Sequence, residues 1–428
     1  MLTIGTLRQW IARNKKHRLR RSVDRPHPVL ADCAAECLEV RRLLSNVTVS
    51  LNAGILALTG DSGDHTIAAT VSGGNLQLAG ANGTTFTFQG ATNASVSIPV
   101  SPLTGLMITM QGGNDNITFD AANLGTISGN VDVMLGDGTN SLIFKDATVT
   151  GTTLIMGGSG ADSVQLSNDV LHDVSILTGE GDDSVQLSNI TLSASQVYAN
   201  LIASVPSLSQ TLGGITSGGS LLIDMGSGHD TLNLDTVTSA NAMLNGVWSV
   251  LLGSGNDNAT FTSVQTHGPT IVAGGIGAHI GTTSSNFGGA TIVATSGNSS
   301  QINVNSSTFV GPAILSTGVG DSPSISVEDS SFQSATAFVE VGQNATLNLE
   351  SSITTGAGTN FAGPVVAVLA GPSAIANLGS PASADKLAFA SFAVFVGGSP
   401  DATVNIATAV TTLDNNKLVL ISAKRHNV

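Results

Sequence analysis

A short phrase returns along this chain every twenty-odd residues: an apolar residue, then Gly-x-Gly-x-Asp-x-apolar. It reads GGSGADSVQ at 157–165, TGEGDDSVQ at 178–186, MGSGHDTLN at 225–233 and LGSGNDNAT at 252–260. Weaker copies begin at Gly60, Met110 and Leu135. A period of this length means one supersecondary unit per repeat, each unit stacked on the next. The repeat therefore restricts the fold more tightly than any single residue does.

From about Val47 onward, apolar and polar residues alternate as in half-buried strands. The most regular stretch reads INVNSSTFVGPAILSTGVGDSP, SISVEDSSFQSATAFVEVGQNA, TLNLESSI. Here Ile302, Ile325 and Leu347 hold equivalent places, 23 and 22 residues apart. Each unit reads strand, small polar turn, two further strands, Gly-rich turn. The expected fold is an all-β, right-handed parallel β-helix with about 22 residues per coil, its handedness following from the rule for parallel crossovers. Asp115, Asn140, Asp162 and Asp183 are 25, 22 and 21 residues apart, which places them on one edge of the column. The 47 residues from Asp183 to Asp230 read as two coils. They contain a segment of helical character, 193–205, expected to loop out of the stack. At this period the body, 46–428, holds about sixteen coils and is roughly 75 Å long. Solenoid ends expose unpaired edges. Residues 47–60 or the head are expected to cover one end, and the tail after Asp414 the other.

Charge divides the chain in two. Residues 1–45 carry ten Lys/Arg against four acids, and the remaining 383 carry five against 25, so a head of +6 precedes a body of −20 within the net −14. A body so poor in cations has little with which to grip a phosphate backbone, so nucleic acid is not expected as a partner. No apolar run reaches the length of a membrane-spanning helix. Both cysteines, Cys33 and Cys37, lie in the head, so disulfides do not hold the body together. The basic head reads as a sorting segment.

Within the head, ECLEVRRLLS (36–45) resembles the LEPR-XLL motif found near the N-terminus of many large exported proteins of planctomycete bacteria. Leu38, Glu39, Arg41, Leu43 and Leu44 match, and Val40 stands where Pro is usual. The resemblance covers about ten residues plus the layout of basic head and β-rich body. It implies export or surface placement and no particular activity. Surface or matrix polymers, or other surface proteins, are the partners it leads one to expect.

GGSGADSVQ also resembles the nonapeptide Gly-Gly-x-Gly-x-Asp-x-apolar-x of RTX proteins, which binds calcium between neighbouring coils. Ca²⁺ takes six to eight oxygens, and a glycine turn offers carbonyls beside one carboxylate. The resemblance implies candidate ligands at Asp115, Asp162, Asp182, Asp183, Asp230 and Asp257, with the carbonyls of Gly158, Gly160, Gly179 and Gly181. In one such site Gly158, Gly160 and Asp162 would face Gly179, Gly181, Asp182 and Asp183. The chain departs from the RTX pattern in its spacing, every twenty-two residues instead of every nine, and in Asn140, which replaces one Asp. The alternative is that Gly and Asp serve only to make tight turns, Gly by adopting positive φ and Asp by bonding nearby backbone.

A carbohydrate-active enzyme is the other reading, since Asp182–Asp183 and His267–Gly268 are similar to the paired aspartates and His-Gly of polygalacturonases. Paired carboxylates can act as acid and base across a sugar bond. The Arg-x-Lys element of those enzymes is absent, and aromatic residues are only 4%, which leaves few platforms for sugar rings. Catalysis is therefore not expected. The histidines, including His65, His172, His229, His267 and His279, form no ligand cluster and read as solvated loop residues.

Overall fold

The computed structural model describes residues 45–428 apart from 100–101, 194–218, 240–245, 352–355, 383–384, 409–410 and 413–416. The LEPR-XLL-like head falls outside the described residues, as does the segment expected to be helical from position 194 on. The described residues contain no α-helix. They form 17-stranded and 26-stranded sheets, here sheet 1 and sheet 2, whose strands pair in parallel from coil to coil. The parallel β-helix read from the repeat is the observed fold.

One coil shows the plan. Gln301–Asn305 and Thr308–Phe309 lie in sheet 2 and Ala313–Thr317 in sheet 1. Ile302 pairs with Ile325, and Ile325 with Leu347, as the spacing predicted; all three are fully buried. Strand alternation sends every second residue inward, and β-branched and aliphatic side chains suit both the pleat and the burial. In five successive coils the short strand contributes an aromatic. Phe287, Phe309, Phe332, Phe361 and Phe389 stack at centroid distances of 4.9, 4.7, 4.8 and 5.1 Å. That is the spacing of hydrogen-bonded strands, so the phenyl pile is continuous through these five coils.

The ends differ from expectation in one respect. Residues 46–99 are hairpins: Asn46–Asn52 pairs antiparallel with Ile55–Gly60, and Thr66–Ser72 with Asn75–Ala81. Ile55–Gly60 and Thr66–Ser72 then pass into the parallel stack by pairing with Gly105–Thr109 and Asn116–Asp120. The hairpins cover the first coil, as anticipated for residues 47–60. The tail instead extends the column: Leu418–Ile421 and Lys424–Asn427 pair in parallel with the coil before them. From Gly105 onward sheet 1 has thirteen successive parallel strands, fewer than the sixteen coils expected. Two causes account for this. The hairpins take up the first residues of the body, and the 47-residue interval from Asp183 to Asp230 is one coil, since Val185 pairs directly with Leu232.

Candidate functional site

The glycine phrases follow the strands of sheet 1 and line one corner of the column. Gly158 sits beside Gly179 in the parallel ladder, and the Gly160 N–H donates to the Glu180 carbonyl at 2.7 Å. Glycine is needed there for more than turning. Gly181 has φ +137°, and a Cβ on it would strike the Gly160 carbonyl of the coil before. Backbone therefore packs directly on backbone along this ridge, which brings the carbonyls of successive turns together.

The aspartate of each phrase turns inward. Asp115, Asp162, Asp183, Asp230 and Asp257 are all at least 98% buried. Each accepts, through Oδ1, the backbone N–H of its counterpart one coil earlier. His65 donates to Asp115 at 2.8 Å, Asp115 to Asn140 at 3.0 Å, and Asn140 to Asp162 at 3.0 Å. Asp162 donates to Asp183 at 2.8 Å, Asp183 to Asp230 at 2.8 Å, and Asp230 to Asp257 at 3.1 Å. Asp182 belongs to a second, exposed ladder of opposite sense, accepting the His229 N–H of the coil after it at 2.8 Å. Asp64 takes the Asn114 N–H, Asn114 that of Thr139, and His229 Nδ1 that of Asn256 in the same way. The register thus brings the sequence-predicted residues into one ridge. It separates the inner carboxylates from Asp182.

Asn140 shows what the ridge wants at its inner ladder. Its Oδ1 serves the ladder, and its Nδ2 donates to the carbonyls of Gly136 at 3.1 Å and Gly138 at 3.2 Å. In the aspartate coils the atom in the place of that amide nitrogen is a second carboxylate oxygen. At Asp162 it accepts the Gly158 N–H at 3.2 Å. At Asp115, Asp230 and Asp257 it is buried and meets no hydrogen-bond donor. A buried carboxylate oxygen without a donor calls for a proton or a cation beside it. The donor set, carboxylate plus backbone carbonyls with no nitrogen or sulfur, fits calcium.

Burial pushes Asp162, Asp183 and Asp257 above the ordinary carboxylate range. Asp230 goes furthest, to about 7, driven by burial and by the negative charges of Asp183, Asp257 and Asp182 against the bond from the Asp183 N–H. At the top of the ladder His65 is wholly buried, contrary to the solvated histidine expected from sequence. Its Nδ1 lies 2.7 Å from Asp115 and its Nε2 3.3 Å from Asp61. Burial works against its charge, but the bond and charge of Asp115 and the charge of Asp61 prevail and raise its pKa. Its place in the aspartate position of the phrase, GDSGDHTIA, was the available signal. His172 is also buried, against Asp173 at 2.8 Å.

Two further features escaped the sequence reading. The corner within sheet 2 carries its own ladder: the N–H groups of Val264, Ser285 and Ser307 donate to the hydroxyls of Ser285, Ser307 and Ser330 one coil on. Below it, Asp329, Glu350 and Asp385 bring carboxylate oxygens within 4.8 Å of one another. Backbone N–H groups of Gly358 and Gly356 bond Asp329 and Asp385 at 2.9 and 2.8 Å, and Thr359 bonds Glu350. The signal was an acidic residue just after the strand in both VEDSS and LESSI. His267, by contrast, precedes the sheet 1 strand Thr270–Ile276 and bonds Ser239 at 3.2 Å. Asp182 and Asp183 follow a sheet 1 strand, so the two elements of the polygalacturonase-like reading stand at opposite ends of that sheet's strands. No family model, no curated protein and no solved structure matches this chain.

Proposed function

We propose that the protein is an exported, acidic structural or interaction element, placed at the cell surface or in the surrounding matrix, whose glycine ridge takes up calcium. The observation that carries the calcium reading is the contrast between Asn140 and the aspartates in its register. The asparagine supplies its own donors to the glycine carbonyls, while Asp115, Asp230 and Asp257 leave an oxygen there without one. Calcium bound at the ridge would supply positive charge between carboxylate and carbonyls of adjacent coils. The residues themselves fix the coils in register, and Asp230, its pKa pushed up to about 7, takes up a proton below neutral pH when no cation is present. The structural role rests on how the polar side chains at the two corners are used: the aspartates of the inner ladder and the serines of sheet 2 bond the backbone of a neighbouring coil. Export rests on the head, and the partners proposed are surface or matrix polymers or other surface proteins.

Melting of the purified protein in EDTA and in millimolar calcium tests the ridge. The folded pKa of Asp230 lies above its unfolded value, so its contribution to stability is full below about pH 4 and is lost as pH rises to about 7. His65 loses its contribution in the same direction, as pH rises through its raised pKa. In EDTA the melting midpoint should therefore fall from pH 5 to 8, and calcium should restore it most at the alkaline end. Asp230→Asn should be more stable than wild type in EDTA at pH 8, by about 2 kcal/mol. It should also respond less to calcium, because the amide can bond Gly226 and Gly228 as Asn140 bonds its own turn. Identical melting with and without calcium would show the glycines to be turns alone. A separate expression experiment tests the head: deletion of residues 1–45 should retain the protein inside the cell while the body keeps its β circular dichroism, and secretion of the deleted form would refute the sorting role.

A further inference from the structure

The two sheets present opposite outer surfaces. On sheet 2, Asn348, Asn377 and Asn405 stand in register and bond one another through their amides at 2.8 Å per step. On sheet 1, from Thr270–Ile276 to Leu418–Ile421, the outward residues form two columns without a charged side chain. Ile271, Ile292 and Ile314 fill the upper part of one column and are 38–41% exposed. Ala273, Ala294 and Ser316 stand beside them in the other. At the next strand the sizes exchange, with Ala337 beside Val339. Valine then continues in both columns down to Val419 and Ile421, 45% and 48% exposed. The chain carries a net charge of −14, yet residues 258–320 contain no Asp, Glu, Lys or Arg.

We propose that this strip is where a second copy of the chain docks, sheet 1 against sheet 1, about a two-fold axis parallel to the column. Three observations lead there. First, size: seven strands at about 4.8 Å give a strip roughly 30 Å long. Its outward side chains offer on the order of 700 Å² of accessible area, close to the ~800 Å² per partner of a standard interface. Second, charge: an acidic molecule can approach another of its kind only across a surface from which charge is missing, and this strip is such a surface. Third, relief: a two-fold axis along the column exchanges the two columns at the same level. Ile271, Ile292 and Ile314 of one copy then meet Ala273, Ala294 and Ser316 of the other, and Ala337 meets Val339, so large faces small at four successive strands. An in-plane axis at right angles would set each column against itself, isoleucine ridge upon apolar ridge. An isologous contact of this kind closes on itself and stops at a dimer.

Analytical ultracentrifugation of the full chain between 1 and 100 µM tests this. The wild type should sediment as a dimer, and the double variant Ile292→Lys, Ile314→Lys as a monomer, its dissociation constant raised at least tenfold. Both side chains point outward, so the far-ultraviolet circular dichroism of the variant should match that of the wild type. Asn303→Lys, on the outer face of sheet 2, should remain dimeric. Orientation is read from Ile271→Cys, near the upper end of the strip, in a background lacking Cys33 and Cys37. A short bismaleimide, able to span the roughly 10 Å between packed sheets, should link two copies through it. Antiparallel columns would put these residues at opposite ends and give no link. A wild type that stays monomeric at 100 µM, a dimer that survives the lysines, or a dimer that fails to cross-link would each overturn the proposal. None of these outcomes bears on calcium at the glycine ridge.

Discussion

Ile325→Asp should be the most damaging single substitution in the column, costing about 4 kcal/mol or more. Ile325 is fully buried, stacked between Ile302 and Leu347. A carboxylate there loses the burial of a large aliphatic group and enters a surrounding of hydrocarbon side chains with nothing to bond it. The energy of a solenoid is close to a sum over coils and their contacts, so the loss should concentrate in the coils on either side. Urea unfolding followed by circular dichroism should then show an earlier, separate transition for the C-terminal part of the stack. Ser326→Asp is the control. Ser326 is on the same strand and faces outward, and its replacement should cost under about 0.5 kcal/mol. Equal effects from the two would contradict the inward register of this strand.

Gly255→Ala should rank next, at about 3 kcal/mol or more, although the change adds a single methyl group. Gly255 has φ +146°, a conformation that L side chains rarely adopt, and its Cβ would fall on the Gly228 carbonyl of the neighbouring coil. Neither strain can relax without parting the two coils. Gly73 separates the two contributions. It also has positive φ, +59°, but a Cβ there meets nothing within 4 Å. Gly73→Ala should therefore show only the conformational penalty, about 1 kcal/mol. The excess at Gly255, measured by chemical denaturation in EDTA, reports how tightly the ridge packs in the absence of metal. An alanine at 255 as mild as one at 73 would mean that the coils do not pack backbone to backbone.

Much of the architecture was legible because it depends on periodicity. Ile302, Ile325 and Leu347 could be aligned from spacing alone, and the same arithmetic aligned Asp115, Asn140, Asp162 and Asp183. Spacing fails where a coil carries extra residues. The 47 residues between Asp183 and Asp230 have the length of two coils, and only the direct pairing of Val185 with Leu232 shows them to be one. The direction of a side chain was harder to read. The phrase fixes the aspartate at 183 and leaves 182 variable, so the adjacent acid looked like part of the same site; the one-residue step along the turn carries Asp182 outward and Asp183 into the core. The burial of His65 followed from its place in the phrase, yet a lone histidine in a glycine turn reads as a solvated loop residue. The apolar strip on sheet 1 was hidden for a different reason. Apolar residues on both faces of a strand look the same in sequence as a strand buried on both sides.

The inner ladder also has a temporal side. Every N–H in it is satisfied by a carboxylate or amide that lies later in the chain, as Asp162 is by Asp183 and Asp183 by Asp230. From His65 to Asp257, each coil therefore leaves one buried donor unanswered until the next coil is laid down. Growth in that direction is self-correcting, since a coil laid down out of phase would leave its predecessor's N–H without an acceptor.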